Sequence, residues 1–196
     1  MEYLVTMVTR VPDGTSAQEV GDVRAREAAN TARLAADGKV LRLWRPPLGP
    51  GEWRSIGLFV AGDADELERT LAAMPLRVWR TDEVTPLGVH ANDPGPGAVE
   101  VVADWTEYLV TLVVGEPDDE AAFAREALRA RELAVQGHLV RLWTLGERRF
   151  VGVWQTADPA ELDEILRSLP LAKWLTIGTV PLTRHPSDPA VVAAGQ

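Results

Sequence analysis

The sequence predicts an α+β fold written twice in one chain. Three observations carry that expectation: motifs recur in the same order in both halves, apolar residues switch between strand and helix periods, and length differences fall in Pro/Gly-rich stretches. Glu2-Tyr3-Leu4-Val5-Thr6 returns as Glu107-Tyr108-Leu109-Val110-Thr111, and Arg26-Glu27-Ala28 as Arg125-Glu126-Ala127. Arg42-Leu43-Trp44 returns as Arg141-Leu142-Trp143, and Pro75-Leu76 with Trp79 as Pro170-Leu171 with Trp174. Pro86-Leu87, His90 and Asp93-Pro94 return as Pro181-Leu182, His185 and Asp188-Pro189. The predicted organisation is repeat 1 over 1–91, a Pro/Gly-rich linker over 92–105, repeat 2 over 106–186 and a flexible tail over 187–196.

Residues 2–10 are β-branched and apolar and read as a strand. Ser16 with Glu19 three positions on has capping-box spacing, and Gly38 stops the helix that follows. Lys39–Trp44 and Trp53–Ala61 read as strands on either side of the loop Pro46-Pro47-Leu48-Gly49-Pro50-Gly51. Asp63 caps a second helix ending near Met74-Pro75, and Val78–Leu87 is the last strand. The second copy places helices at 118–136 and 158–168. The order βαββαβ is the split-βαβ or ferredoxin-like plan. Two such sheets on one chain can pack their open faces together, which predicts an intrachain dimeric α+β barrel, a pseudo-dimer.

Acidic residues outnumber basic ones 29 to 20, for a net charge of −9, and the basic residues do not cluster, so no nucleic-acid partner is expected. The absence of cysteine excludes disulfides, thiolate metal sites and cysteine nucleophiles. No signal segment or membrane-length apolar run is visible, which predicts a cytoplasmic protein with no membrane partner. His90, His138 and His185 have no second ligand at helical spacing, and no nucleotide or serine-hydrolase motif occurs. Neither a metal nor a cofactor is expected.

Helical spacing puts Val20, Val23, Glu27, Thr31 and Leu34 on one stripe, and Ala122, Phe123, Glu126, Ala130 and Leu133 on its counterpart. A glutamate in the middle of an apolar stripe is desolvated and its pKa should rise, suiting it to take and return a proton. The other reading is an ion pair with an arginine at the stripe's edge. Arg42 with Trp44, and Arg141 with Trp143, share a strand face. Facing a cavity, they would clamp a carboxylate and cover a ring; facing outward, they are a snorkelling arginine beside a packing indole.

The leading strand Glu2–Met7, the helix carrying Arg26-Glu27, Arg42-Leu43-Trp44-Arg45 and the run Leu182-Thr183-Arg184-His185-Pro186 resemble the muconolactone Δ-isomerase family across nearly all of each repeat. The resemblance implies a cofactor-independent isomerase of a small unsaturated lactone in bacterial catechol (β-ketoadipate) catabolism, working by a 1,3-proton shift. It implies Glu27 and Glu126 as catalytic residues. Arg42, Arg141, Trp44, Trp143, Trp53, Tyr3 and Tyr108 become the expected binders of a small carboxylate or lactone substrate. It also implies a homo-oligomer of fused pseudo-dimers. The chain departs from the family's aromatic-Asn segment at Glu52-Trp53-Arg54-Ser55 and Glu147-Arg148-Arg149-Phe150. Two alternatives stand beside the isomerase: a natural-product tailoring enzyme on the same barrel, and a non-catalytic small-ligand-binding or assembly module.

Overall fold

The computed structural model describes residues 1–119 and 121–194, with side chains through 191. Each repeat forms the expected element order. In the first, β1 (Glu2–Thr9), α1 (Ala17–Ala36), β2 (Val40–Arg45), β3 (Arg54–Val60), α2 (Ala64–Ala72) and β4 (Arg80–Val89) follow one another, with a 3₁₀ turn at Pro75–Trp79. In the second come β5 (Thr106–Val114), α3 (Ala121–Val135), β6 (Leu139–Thr144), β7 (Arg149–Thr156), α4 (Pro159–Arg167) and β8 (Leu175–Arg184). Helix α5 (Pro189–Ala194) ends the described chain. All eight strands pair antiparallel, so the fold is α+β.

Local chemistry explains the helix ends. Ser16 Oγ accepts the Glu19 N–H at 3.2 Å, and Asp63 accepts the Glu66 N–H at 2.8 Å. Helix α1 stops in a Schellman motif: Gly38 has φ 69°, and the Lys39 N–H reaches the Leu34 carbonyl at 2.8 Å. Helix α3 ends the same way at Gly137, with φ 86° and His138 N–H donating to Leu133 O at 2.8 Å. The last strand of repeat 1 begins at Arg80, not Val78, because Pro75 starts a 3₁₀ turn that runs to Trp79.

The chain forms two compact units that do not coincide with the repeats. Unit 1 is Met1–Leu87 with the segment from Thr183 onward; unit 2 is Gly88–Leu182. The unit 1 sheet runs β4-β1-β3-β2, and Arg184 and Thr183 pair with Trp44 and Arg45 of β2. The unit 2 sheet runs β8-β5-β7-β6, and Gly88 and Val89 pair with Thr144 and Trp143 of β6. The end of each repeat is thus built into the other repeat's unit.

The expected flexible tail is corrected on this point. Asp188 is fully buried and α5 follows it, because the Asp188 carboxylate is held by the Arg42 guanidinium and the Leu43 N–H. Gly195 and Gln196 lie outside the described residues. The Pro/Gly-rich segment is also fastened. Arg141 and the Leu142 N–H hold Asp93, and the fully buried Gln155 bonds the Val102 N–H and the Glu100 carbonyl. Among the described residues no helix is long and apolar enough to cross a membrane.

Each unit has its own apolar core between sheet and helices. Val5, Phe59, Leu67 and Leu71 anchor the first; Val110, Leu133, Leu139 and Leu162 anchor the second.

Candidate functional site

Helix α1 buries Val23, Thr31 and Leu34, and Glu27 lies between them with its side chain 12% exposed. Its carboxylate lines a cavity of about 310 Å³ within unit 1, at the lower end of the ~300–1,000 Å³ typical of small-molecule sites. Oε2 accepts the Leu76 N–H at 2.9 Å, and Oε1 faces Arg80 Nη1 at 3.1 Å. Arg80 is itself held by Asp82, through Nε–Oδ1 at 2.6 Å and Nη2–Oδ2 at 3.1 Å. Desolvation pushes the Glu27 pKa above its ordinary value; the Leu76 N–H and Arg80 pull against that rise, and the Asp82 charge adds to it. Glu27 is therefore ion-paired and also borders a cavity.

The lining of the cavity also carries positive charge. Arg24, one turn before Glu27 on α1, lies over the Trp53 ring at 5.3 Å, and both line the cavity. Arg45 lines it from β2, with Nη2 3.3 Å from His185 Nε2. The Ser187 N–H donates to His185 Nδ1 at 3.1 Å, which places the neutral ring's hydrogen on Nε2. Burial, and then the charges of Arg45 and Arg24, push the His185 pKa down to about 4, so the ring is neutral at pH 7. Arg45 and His185 Nε2–H are consequently two neighbouring donors.

Several sequence expectations are corrected by these positions. Arg42 does not face the cavity. Its Nε and Nη2 bind Asp188 at 3.0–3.2 Å, and its guanidinium stacks 4.8 Å over Trp44, which is fully buried. Arg141 repeats this with Asp93 at 3.1–3.2 Å and with buried Trp143 at 4.6 Å. The cause is a bulge: register shifts between Val40 and Arg42, and between Leu139 and Arg141. One extra residue puts Val40, Leu43 and Arg45 on the cavity side and sends Arg42 and Trp44 to the other. Tyr3 and Tyr108 are core residues, 2% and 5% exposed, packed with Val5 and Val110. Trp53 does line the cavity.

Unit 2 carries Glu126 at the corresponding helix position, beside a cavity of about 80 Å³. Its Oε2 accepts the Leu171 N–H at 3.0 Å, and burial raises its pKa. Among the described residues no ion pair reaches Glu126; the Leu171 N–H and then the Arg129 charge pull against the rise. Where unit 1 has Arg80 and Ser55, unit 2 has Leu175 and Phe150, both lining its cavity. Among the described residues no cluster of His, Asp and Glu is placed to hold a metal ion.

Sequence reasoning missed Arg24, Arg45, Arg80 and His185. Arg24 was visible as the residue three before Glu27 on one helix face. Arg45 required knowing the bulge, and Arg80 a contact 53 residues away along the chain.

The family model for muconolactone delta-isomerase matches residues 1–93 and again 107–188. A muconolactone delta-isomerase from Cupriavidus pinatubonensis is 36% identical over 92 residues, covering 47% of this chain and 97% of that one. One from Acinetobacter lwoffii is 31% identical over 92 residues, covering 47% and 93%. A solved chlorite dismutase from Candidatus Nitrospira defluvii aligns over all of this chain and 95% of its own with a TM-score of 0.63 at 12% identity, a likeness of fold alone.

Proposed function

Because the chain belongs to the muconolactone delta-isomerase family through both of its repeats, we propose that it is a cofactor-independent isomerase of a small unsaturated lactone acid. The observation that carries this reading is Glu27: a desolvated carboxylate, held by one backbone donor and one arginine, on the wall of a cavity sized for a small molecule. In a butenolide such as muconolactone, the ring C–H next to the double bond is acidified by the conjugated carbonyl. Glu27 takes that proton as a base, leaving a dienolate whose charge reaches the lactone oxygen. The same carboxyl, now protonated, returns the proton at the carbon α to the carbonyl. The double bond moves by one position and Glu27 is regenerated.

Arg80 keeps enough negative charge on Glu27 for it to act as a base, while desolvation raises its proton affinity toward that of a carbon acid. Trp53 and the apolar wall of Leu43 and Phe59 exclude water from the dienolate. The intrachain pseudo-dimeric barrel, the cytoplasmic location and the association of fused pseudo-dimers belong to the same proposal.

The experiment is incubation with muconolactone in deuterated water, followed by proton NMR. The expected result is loss of the ring proton signal with double-bond migration, and slowing by ~10²–10⁴-fold in Glu27→Gln. Full turnover in Glu27→Gln refutes the assignment.

A further inference from the structure

The two units share a plan, yet their cavities differ position by position. Arg24 on α1 corresponds to Phe123 on α3, and Thr31 to Ala130. Arg45 corresponds to Thr144, Ser55 to Phe150 and Arg80 to Leu175. The incoming segments differ in what they meet. His185 in unit 1 lies against Arg45, whereas His90 in unit 2 meets the Phe150 ring edge-on at 5.0 Å. His90 uses Nδ1 in the same way, accepting the Asn92 N–H at 3.0 Å. The segment geometry is therefore the same in both units, and only the partner across the cavity has changed.

In unit 1, Arg45 Nη2 and His185 Nε2–H are both donors 3.3 Å apart, and neither can bond the other. Such a pair is satisfied by one acceptor placed between them. Arg24 adds a second positive charge close enough to depress His185. Among the described residues no carboxylate lies within bonding distance of Arg24 or Arg45, although Arg42, Arg80 and Arg141 each have one. The acceptor that fits is an anionic oxygen supplied by a ligand.

We propose that the chain has a single ligand site, in unit 1, where Arg45, His185 Nε2–H and Arg24 receive the carboxylate of the lactone acid, and that unit 2 has become a structural unit. The inference rests on the isomerase reading for the ligand's identity, but not for the number of sites. The second cavity, at about 80 Å³, is smaller than the ~150 Å³ that holds a benzene. It offers a carboxylate no arginine: its wall there is Phe123, Phe150 and Leu175. Repeat 2 nevertheless takes part, because the segment that follows β8, His185 to Ser187, completes the wall of the first cavity. Asp188 pins that segment by binding Arg42 and the Leu43 N–H. This gives Arg42 a task different from the substrate clamp expected of it: it holds the strap that carries His185.

The probe is 5-oxotetrahydrofuran-2-acetate, which carries the ring and the carboxylate but no ring double bond and so cannot be isomerised. It is titrated into the full-length ¹⁵N-labelled protein while the indole N–H signals of Trp53 and Trp154 are followed, one from each cavity. The expected result is a saturable shift at Trp53 and none at Trp154. Arg45→Met and His185→Leu should weaken binding ~10- to 100-fold, as expected for a lost hydrogen bond to a charged group. His185→Gln, which restores an N–H donor, should recover most of that loss. Glu126→Gln should isomerise muconolactone at the wild-type rate. A saturable shift at Trp154, no shift at Trp53, unchanged affinity in Arg45→Met, or lost turnover in Glu126→Gln each overturns the proposal. Binding at Trp53 without turnover of muconolactone sinks the isomerase reading and leaves the single receptor standing.

Discussion

Removing the Asp188 carboxylate tests how the C-terminal segment is held. Asp188 is fully buried and accepts from Arg42 Nε at 3.1 Å, Arg42 Nη2 at 3.0 Å and the Leu43 N–H at 3.2 Å. Asp188→Ala leaves the Arg42 guanidinium, 13% exposed, without this acceptor, and deprives the Leu43 N–H as well. Breaking a buried ion pair from one side costs about 3–5 kcal/mol, and the orphaned amide places this case toward the upper end. For a chain of this size the corresponding fall in Tm is roughly 6–20 °C. Asp188→Asn keeps an oxygen for the amide but loses the charge, so its cost should be smaller. Replacing both partners together, as Arg42→Met with Asp188→Leu, should recover much of the loss because neither member of this pair is then left buried without the other. Urea unfolding of the four proteins measures this, and limited proteolysis after Thr183 reports on the segment itself. If Asp188→Ala costs less than about 1 kcal/mol, the strap is not held as argued. A double variant no more stable than the single one would also refute the reasoning.

Three further outcomes follow from the same geometry. Asp93→Ala should destabilise unit 2 by a similar ~3–5 kcal/mol through Arg141, yet leave the affinity of unit 1 for the saturated lactone acid unchanged, as measured by NMR titration. Burial raises the Glu27 pKa, so the acid limb of kcat/KM should lie above the ordinary 4.5; Arg80→Met removes a lowering charge and should move that limb to higher pH in a pH–rate profile. Glu126 also holds its proton more tightly folded than unfolded, so its contribution to stability is complete below pH 4.5 and is lost as pH rises through the folded value. Glu126→Gln should therefore gain stability relative to wild type toward pH 7, seen as a rising difference in unfolding free energy across that interval.

The repeats, the helix ends and the glutamate were legible in the sequence because each is local or periodic. Ser16 with Glu19, Gly38 and Gly137 mark helix ends by chemistry acting over four or five residues, and the structure uses them that way. Glu27 stood out because an α-helical stripe has one period and the residue breaks it. The strand carrying Arg42 is different, because period 2 says which side chains share a face but not which face looks inward. A single bulge after Val40 reverses the phase, so Arg45 lines the cavity and Arg42 with Trp44 turns away. Nothing in Val40-Leu41-Arg42-Leu43-Trp44 announces the bulge, since every residue there is compatible with either phase.

The difference between the two cavities was hidden for another reason. Shared motifs draw attention to what the copies retain, namely Glu27 with Glu126 and Arg42 with Arg141, and one of those pairs is structural. The informative positions are those that differ: Arg24 against Phe123, Arg45 against Thr144 and Arg80 against Leu175. They are scattered over a helix and two strands, and only the fold collects them around one cavity. Asp93 and Asp188 sharpen the point. They recur because each fixes the end of one repeat in the other repeat's unit, a requirement of the architecture that holds whether or not the adjoining cavity binds anything. In this duplicated chain, then, the retained charge pairs fasten the end of each repeat, and the divergent charges are those that line one cavity and not the other.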